Sequence, residues 1–315
     1  MSASAGTGDR CATSAPRQVA ITHCMLCASD AARALISDPP YTVLRCTACG
    51  MVWTTPRLSD LRAVYDDGYW RSATPRQRGY GDYRADEPLY LKTFRRRLAI
   101  VRRHTARPGT LLDVGCAAGY FLAVMREAGW EVAGVDLSSE IVAHAHARFG
   151  FTALHAGTLE TAPWPPASFD LVTLWDLVEH VPDPRAVLMQ AHRLLRPDGV
   201  LVLETQDVAS PFARLLGARW HHFKHAEHLY HFDAATIRRL LAQAGFAVVE
   251  LTRRSAGKYV SVDFIAERAA RLHPVFSVML RPLTRLRGAN VYLNFGDEMI
   301  VVARPNDCGH TSAEA

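Results

Sequence analysis

Three groups of residues in this chain have the types and spacing to do chemistry. The first is the run His221-His-Phe-Lys-His-Ala-Glu-His-Leu-Tyr-His-Phe232. Histidine is the default proton acceptor near neutral pH. His228, beside Glu227, is the candidate base. His225 and His228, three residues apart, could instead share a metal ion with Glu227, or the histidines could simply cap and pack a loop. Glu179-His180 is a second acid–imidazole pair.

The second group is Cys24-x2-Cys27 with Cys46-x2-Cys49, while Cys11, Cys116 and Cys308 stand apart. Two such hooks can each present two thiolates from one turn and together complete a tetrahedron around zinc. Four cysteines leave no open position, so the ion is expected to be structural. The competing readings are two disulfides, which a cytoplasmic chain disfavours, or plain buried thiols.

The third group is Leu111-Leu-Asp-Val-Gly-Cys-Ala-Ala-Gly-Tyr-Phe-Leu122, followed by Glu131-Val-Ala-Gly-Val-Asp136. This reads as a buried strand, a glycine turn, a helix and a second strand ending in an acid, which is half of a nucleotide-binding βαβ unit. A dinucleotide loop needs a middle glycine so that backbone can approach a pyrophosphate. Ala117 stands there, between Gly115 and Gly119, so the loop suits a nucleoside without phosphate. Asp136 is placed to accept two hydrogen bonds from a ribose diol.

These groups need elements to hold them. Residues 18–56 are expected to form the ribbon, and 57–85 a linker or lid rich in Tyr, Arg and Gly. A helix is predicted over 86–103, with apolar positions at helical spacing. Strands are predicted at 110–114, 131–136, 151–155, 169–174, 199–204, 246–251 and 297–303. Helices are predicted near 119–128, 138–148, 184–195 and 234–244, the last with Asp233 as N-cap and Gly245 as stop. Such alternation implies an α/β protein with a parallel sheet and helices on both faces. Residues 1–17 and 305–315 read as disordered tails.

Asp113-Val-Gly-Cys-Ala-Ala-Gly119 resembles motif I of the class I S-adenosylmethionine (SAM) methyltransferases. Ser168 to Pro184 resembles that family's fourth strand and following loop, and Leu194 to Leu203 its helix, turn and fifth strand. The resemblance covers roughly 86–304. It implies a seven-stranded, Rossmann-like, doubly wound sheet whose last strand is antiparallel, here joined to a small N-terminal zinc ribbon. It implies SAM as cofactor, with Zn2+ as a structural ion in the ribbon. Asp113 could then meet the methionine ammonium, Gly115 and Gly119 let the methionine end approach, and Asp136 takes the ribose. By the same resemblance Thr158 and Leu159 border the adenine. Trp175 faces the sulfonium or else packs in the core. The Glu227-His228 loop resembles the Glu-His motif of sugar methyltransferases that also carry an N-terminal zinc ribbon, where the histidine is base or substrate ligand. Glu179-His180 resembles the pair that orders the loop after strand four, with His180 a reserve base. The nucleotide-sugar C-methyltransferases carry an additional C-terminal domain that has no counterpart after this chain's last strand, which argues against transferring their substrate outright.

The expected activity is methyl transfer from SAM to a hydroxyl or acidified carbon of a sugar, glycan or secondary metabolite. RNA methylation guided by the zinc hook is the alternative. Asp176-Leu-Val-Glu lacks the Asn/Asp-Pro-Pro-aromatic signature expected for attack by a base nitrogen, so nucleic acid is not the expected partner. A zinc module that binds SAM without turnover is the third reading, opposed by the intact cofactor loop. The net charge of +5 is mild, and the basic residues are almost all arginine, which does not by itself demand nucleic acid. No run approaches the ~20 apolar residues of a membrane span, and residues 1–17 lack an apolar signal core, so a cytoplasmic protein is expected. Residues 255–292 read as a helical insertion. Its stretch 267–287 mixes arginines with apolar residues and could lie on an anionic membrane face, although Pro274 and Pro282 favour a helix that covers the sheet.

Overall fold

The computed structural model describes residues 18–59, 64–65, 67–72, 82–262, 265 and 289–306. Residues 1–17 and 307–315 of the expected tails, and the arginine-rich stretch 267–287, lie outside the described residues; the first two residues of the expected C-terminal tail are ordered instead, Pro305 closing the last strand and the Asn306 amide donating to the Gly245 carbonyl over 2.7 Å. In chain order the strands are β1 (Gln18–Val19), β2 (Ala32–Asp38), β3 (Tyr41–Cys46), β4 (Val52–Thr55), β5 (Arg57–Leu58), β6 (Thr110–Val114), β7 (Glu131–Asp136), β8 (Leu154–Ala156), β9 (Phe169–Trp175), β10 (Leu195–Gln206), β11 (Tyr230–His231), β12 (Phe246–Thr252), β13 (Lys258–Ser261), β14 (Asn290–Leu293) and β15 (Glu298–Pro305). The helices are α1 (Asp67–Trp70), α2 (Glu87–His104), α3 (Tyr120–Glu127), α4 (Ser139–Phe149), α5 (Pro184–Leu194), α6 (Pro211–Leu216) and α7 (Ala234–Gln243).

Seven strands form the central sheet in the order β8-β7-β6-β9-β10-β15-β12. The first five run parallel, and β15 is antiparallel to both of its neighbours. This is the expected α/β architecture. Strands buried on both faces read as near-continuous apolar runs, and Val-Leu-Val-Leu of β10 is buried without interruption, as is Leu-Leu-Asp-Val of β6, where Asp113 is the one polar residue. Between β6 and β9 the chain order reverses. A parallel sheet opens a crevice there, beyond the carboxyl ends of its strands.

Local chemistry sets the helix ends. Ser138 and Asp183 accept hydrogen bonds from the first-turn amides of α4 and α5, and Pro184 opens α5. Asp233 and Thr236 form a reciprocal capping box on α7. On α2, Arg97 lies on the buried face with its guanidinium on the Glu204 carboxylate of β10.

The structure departs from the sequence expectations in three places. β10 begins at Leu195, four residues early, because the Arg196–Gly199 turn is carried as a register shift between β10 and β9. The expected helical insertion over 255–292 begins and ends as strands, since β13 and β14 pair antiparallel. The expected ribbon shares its sheet with a strand from far along the chain. Its strands β2, β3 and β4 make a sheet completed by β11, which belongs to the histidine-rich loop. Tyr230 pairs with Trp53 and His231 with Val52. Cys24, Leu26, Met51 and Trp53 share one apolar core with Val172, Leu203 and Val301 of the large sheet.

Candidate functional site

A cavity of about 2200 Å³ opens at the crevice between β6 and β9. One end is built by the turn after β6. Gly115 and Gly119 have φ of +74° and +75°, in the left-handed region that suits glycine. Ala117, between them, is also left-handed at +46°. Its amide donates to the Asp136 carboxylate over 2.9 Å, and the Ser138 amide donates to the other oxygen over 3.0 Å. Asp136 therefore latches the glycine turn while still facing the cavity.

Of the predicted cofactor residues, Asp113, Gly115, Asp136, Thr158, Leu159 and Trp175 line this cavity. Gly119 is not among the lining residues. It starts α3, and a Cβ there would stand 2.9 Å from the Phe151 ring and 3.3 Å from Ala145 of α4, so its smallness serves the packing of this turn against α4 and the loop after it. Asp113 is buried and accepts a 2.6 Å hydrogen bond from Thr173. Burial pushes its carboxyl up to about 8, against the Thr173 bond. The Trp175 ring packs on Phe121 and Phe94, and it lines the cavity with its buried indole N–H unpartnered. An unpaired buried donor, a buried carboxyl and an unblocked turn in one cavity fit a cationic nucleoside cofactor.

The described part of the linker closes over this end. Trp70 donates to Ser138 over 3.2 Å, next to Asp136. Tyr83 stacks on Tyr120 at the start of α3. No sequence signal beyond an excess of tyrosine pointed to these roles.

The other end of the cavity holds the histidines. His228 and His180 approach edge to face with ring centroids 4.7 Å apart, and His222 lies 5.9 Å from His228. All three line the cavity. Burial holds His228 and His222 well below the ordinary imidazole range and His180 down at about 4, so the rings are neutral at physiological pH. The buried Nδ1 of His228 has no hydrogen-bond partner. His180 Nδ1 meets the Tyr65 hydroxyl at 2.8 Å and the Glu227 carbonyl at 3.1 Å. Glu227 turns away from the cavity. It accepts from Tyr69 over 3.3 Å and lies 3.5 Å from Lys224.

The metal set His225–Glu227–His228 is not assembled. His225 faces Asp38 of the ribbon at 3.4 Å, while Glu179, His180 and His228 bring their ligand atoms within 4.8 Å of one another. Glu179 ties its loop to the histidine run and to β10: its carbonyl accepts from the Leu229 amide over 2.8 Å and its carboxyl from Thr205 over 2.9 Å. Sequence reasoning missed the ion pairs beside this end. Lys258, from β13, meets Asp176 at 2.8 Å and Glu298 at 2.6 Å. Its partners are 82 and 40 residues away in the chain, so no local pattern could reveal them.

The four predicted zinc ligands come together. Cys24, Cys27, Cys46 and Cys49 place their sulfurs within 4.8 Å of one another. Cys24 stands 3.5 Å from Cys49, and Cys27 3.6 Å from Cys46. Thiolates ~2.3 Å from one tetrahedral zinc stand roughly 3.8 Å apart, so the set fits the ion. Burial opposes ionisation of Cys46, but the Cys49 and Ala48 amides outweigh it and hold that thiol at about 7.

The model of a family described as "Methyltransferase domain" matches residues 83–251. The chain belongs to this family, and with its sheet order it is a class I SAM-dependent methyltransferase in fold. Among curated relatives, the ubiquinone biosynthesis O-methyltransferase of Xanthomonas campestris pv. campestris is 34% identical over 145 residues, 41% of this chain and 61% of that protein. That of Idiomarina loihiensis is 36% identical over 118 residues, 35% of this chain and 48% of that one. A probable S-adenosylmethionine-dependent methyltransferase of Mycolicibacterium smegmatis is 30% identical over 157 residues, covering 49% and 59%. The chain thus spans only about half to three-fifths of the length of these relatives. A solved SAM-dependent methyltransferase from Thermotoga maritima is similar at 18% identity and a TM-score of 0.48, covering 71% of this chain and 95% of that one. No helix among the described residues is long and apolar enough to cross a membrane.

Proposed function

We propose that this methyltransferase moves the methyl group of SAM to a hydroxyl, or an acidified carbon, of a small sugar, glycan or secondary-metabolite acceptor, with His228 as general base. The observation that carries this reading is a neutral, buried imidazole with an unpartnered Nδ1 in the same cavity as the glycine turn. SAM, when bound, supplies an electrophilic methyl on a sulfonium whose charge is lost as the new bond forms.

The chain's own residues do the rest. In this reading Asp113 takes the ammonium and Asp136 the ribose diol, and Thr158 and Leu159 border the base. Trp175 and the Trp70–Tyr83 cover keep water out, which strengthens every charge interaction inside. His228 removes the acceptor proton, and His180, held by Tyr65, stands against it. The relatives described as O-methyltransferases support a small-molecule hydroxyl as acceptor. The four thiolates carry a structural Zn2+ that fixes the ribbon and, through β4, the loop bearing the base.

General acid–base catalysis contributes about 10²–10⁴-fold. His228→Ala is therefore expected to lose turnover by about that factor while SAM affinity, read by calorimetry, stays within error. A variant that turns over at the native rate removes the base assignment.

A further inference from the structure

A second histidine cluster stands where β15 begins, and neither the cofactor end of the cavity nor the base explains it. Asp297 is buried, with one oxygen held by the Trp220 indole N–H over 2.8 Å. That same oxygen stands 3.8 Å from Nε2 of His221 and 3.8 Å from Nε2 of His222. His222 Nε2 also stands 3.5 Å from Glu298 and is a buried nitrogen without a hydrogen-bond partner. These separations exceed hydrogen-bond length. Two donors ~2.1 Å from one ion at a tetrahedral angle stand roughly 3.4 Å apart, so small side-chain movements bring all three onto one ion.

We propose that His221, His222 and Asp297 bind a divalent first-row transition-metal cation at the acceptor end of the cavity. Two imidazoles and one carboxylate suit such an ion and leave positions open. Trp220 is the outer partner that orients the carboxylate. Among the described residues, and besides the four cysteines, two other groups have ligand atoms close enough to compete. In the first, His180 Nδ1 is already engaged by Tyr65 and the Glu179 carboxyl by Thr205. In the second, Asp176, Glu204 and Glu298 already hold Lys258 and Arg97. The site deepens the small-molecule reading and, for the acceptor class, rests on it: open positions facing the cavity suit an acceptor with two neighbouring oxygens.

The test is a titration of the full chain, ribbon ion in place, with Mn2+, which thiolates hold poorly, followed by electron paramagnetic resonance. The native chain is expected to bind one Mn2+. Asp297→Asn, which keeps an acceptor for Trp220, and His222→Phe, which keeps the ring, are each expected to weaken it at least ~10-fold, the scale of losing one ligand. His221→Asn, at a side chain 38% exposed, is the mild third variant with the same expected direction. SAM binding measured on each variant reports that the fold is intact. His180→Phe is expected to leave Mn2+ binding unchanged. The proposal is overturned if the native chain binds no Mn2+, if all three ligand variants bind it as the native chain does, or if only His180→Phe loses it. Ion binding is read without turnover, so its failure leaves the methyl-transfer reading standing, and an inactive chain that binds Mn2+ through these residues leaves the metal site standing.

Discussion

A buried ionisable side chain is informative because its charge state is a matter of environment. Asp113 lies on the cavity wall with its carboxyl pushed up to about 8 by burial, so near neutral pH it holds a proton. A cation arriving there must displace that proton. The unliganded carboxyl loses its proton unaided as the pH rises through 8, so SAM affinity should tighten from pH 6 towards 8 and then level off. Proton release on binding, measured by calorimetry in buffers of different ionisation enthalpy, checks this. An affinity that stays flat with no proton released would mean that Asp113 does not meet the ammonium.

Among the elements, the pairing of β11 with β4 matters most for the site. A ribbon read as a module turns out to supply three strands of a sheet whose fourth strand comes directly after Glu227-His228-Leu229. Thr54 is buried at the seam. Its hydroxyl lies 3.2 Å from His231 Nε2, and its amide donates to the Leu229 carbonyl over 2.9 Å. Thr54→Val keeps the shape and the amide bond but leaves the His231 nitrogen unsatisfied, a loss of about 1–3 kcal/mol. Melting should fall by a few degrees, and turnover should fall further than SAM affinity because the seam holds the base and not the cofactor turn. Equal loss of both would place the effect on the whole fold. The histidine spacing was legible in the sequence, but the strand partner was not, because it lies 177 residues away.

For the whole molecule, the buried neutral imidazoles set an acid limit. Burial holds His180 down at about 4 and His231 at about 3, against an ordinary value of 6.5. The unfolded chain therefore binds protons at these sites before the folded one does. Their stabilisation is complete above pH 6.5 and is lost as the pH falls through that value towards 4 and 3. Asp113 and Glu179, both raised to about 8, act in the opposite sense. They cost stability as the pH rises from the ordinary carboxylate range towards 8. Chemical denaturation is expected to show a steeper fall below pH 6 in the native chain than in His231→Gln, which retains polar groups at that seam. Parallel curves would assign the acid limit to other groups.

What the sequence determined by itself was set by short-range physics. Apolar strands, left-handed turn positions at Gly115 and Gly119, and caps such as Asp233 act within a few residues, so strand and helix positions, the glycine turn and the four thiols were legible from residue type and spacing. Only the tertiary structure decided which way the side chains of the histidine run face. Glu227 and His225 turn to Lys224, Tyr69 and Asp38, while His228 joins His180 from the loop after β9 and His222 joins Asp297 just before β15. It likewise decided that the ribbon is part of the site and that Lys258 answers Asp176 and Glu298. Those choices depend on burial and on partners far apart in the chain. A sequence fixes how its neighbours fold locally, whereas the environment of a buried charge exists only once distant strands have been brought together.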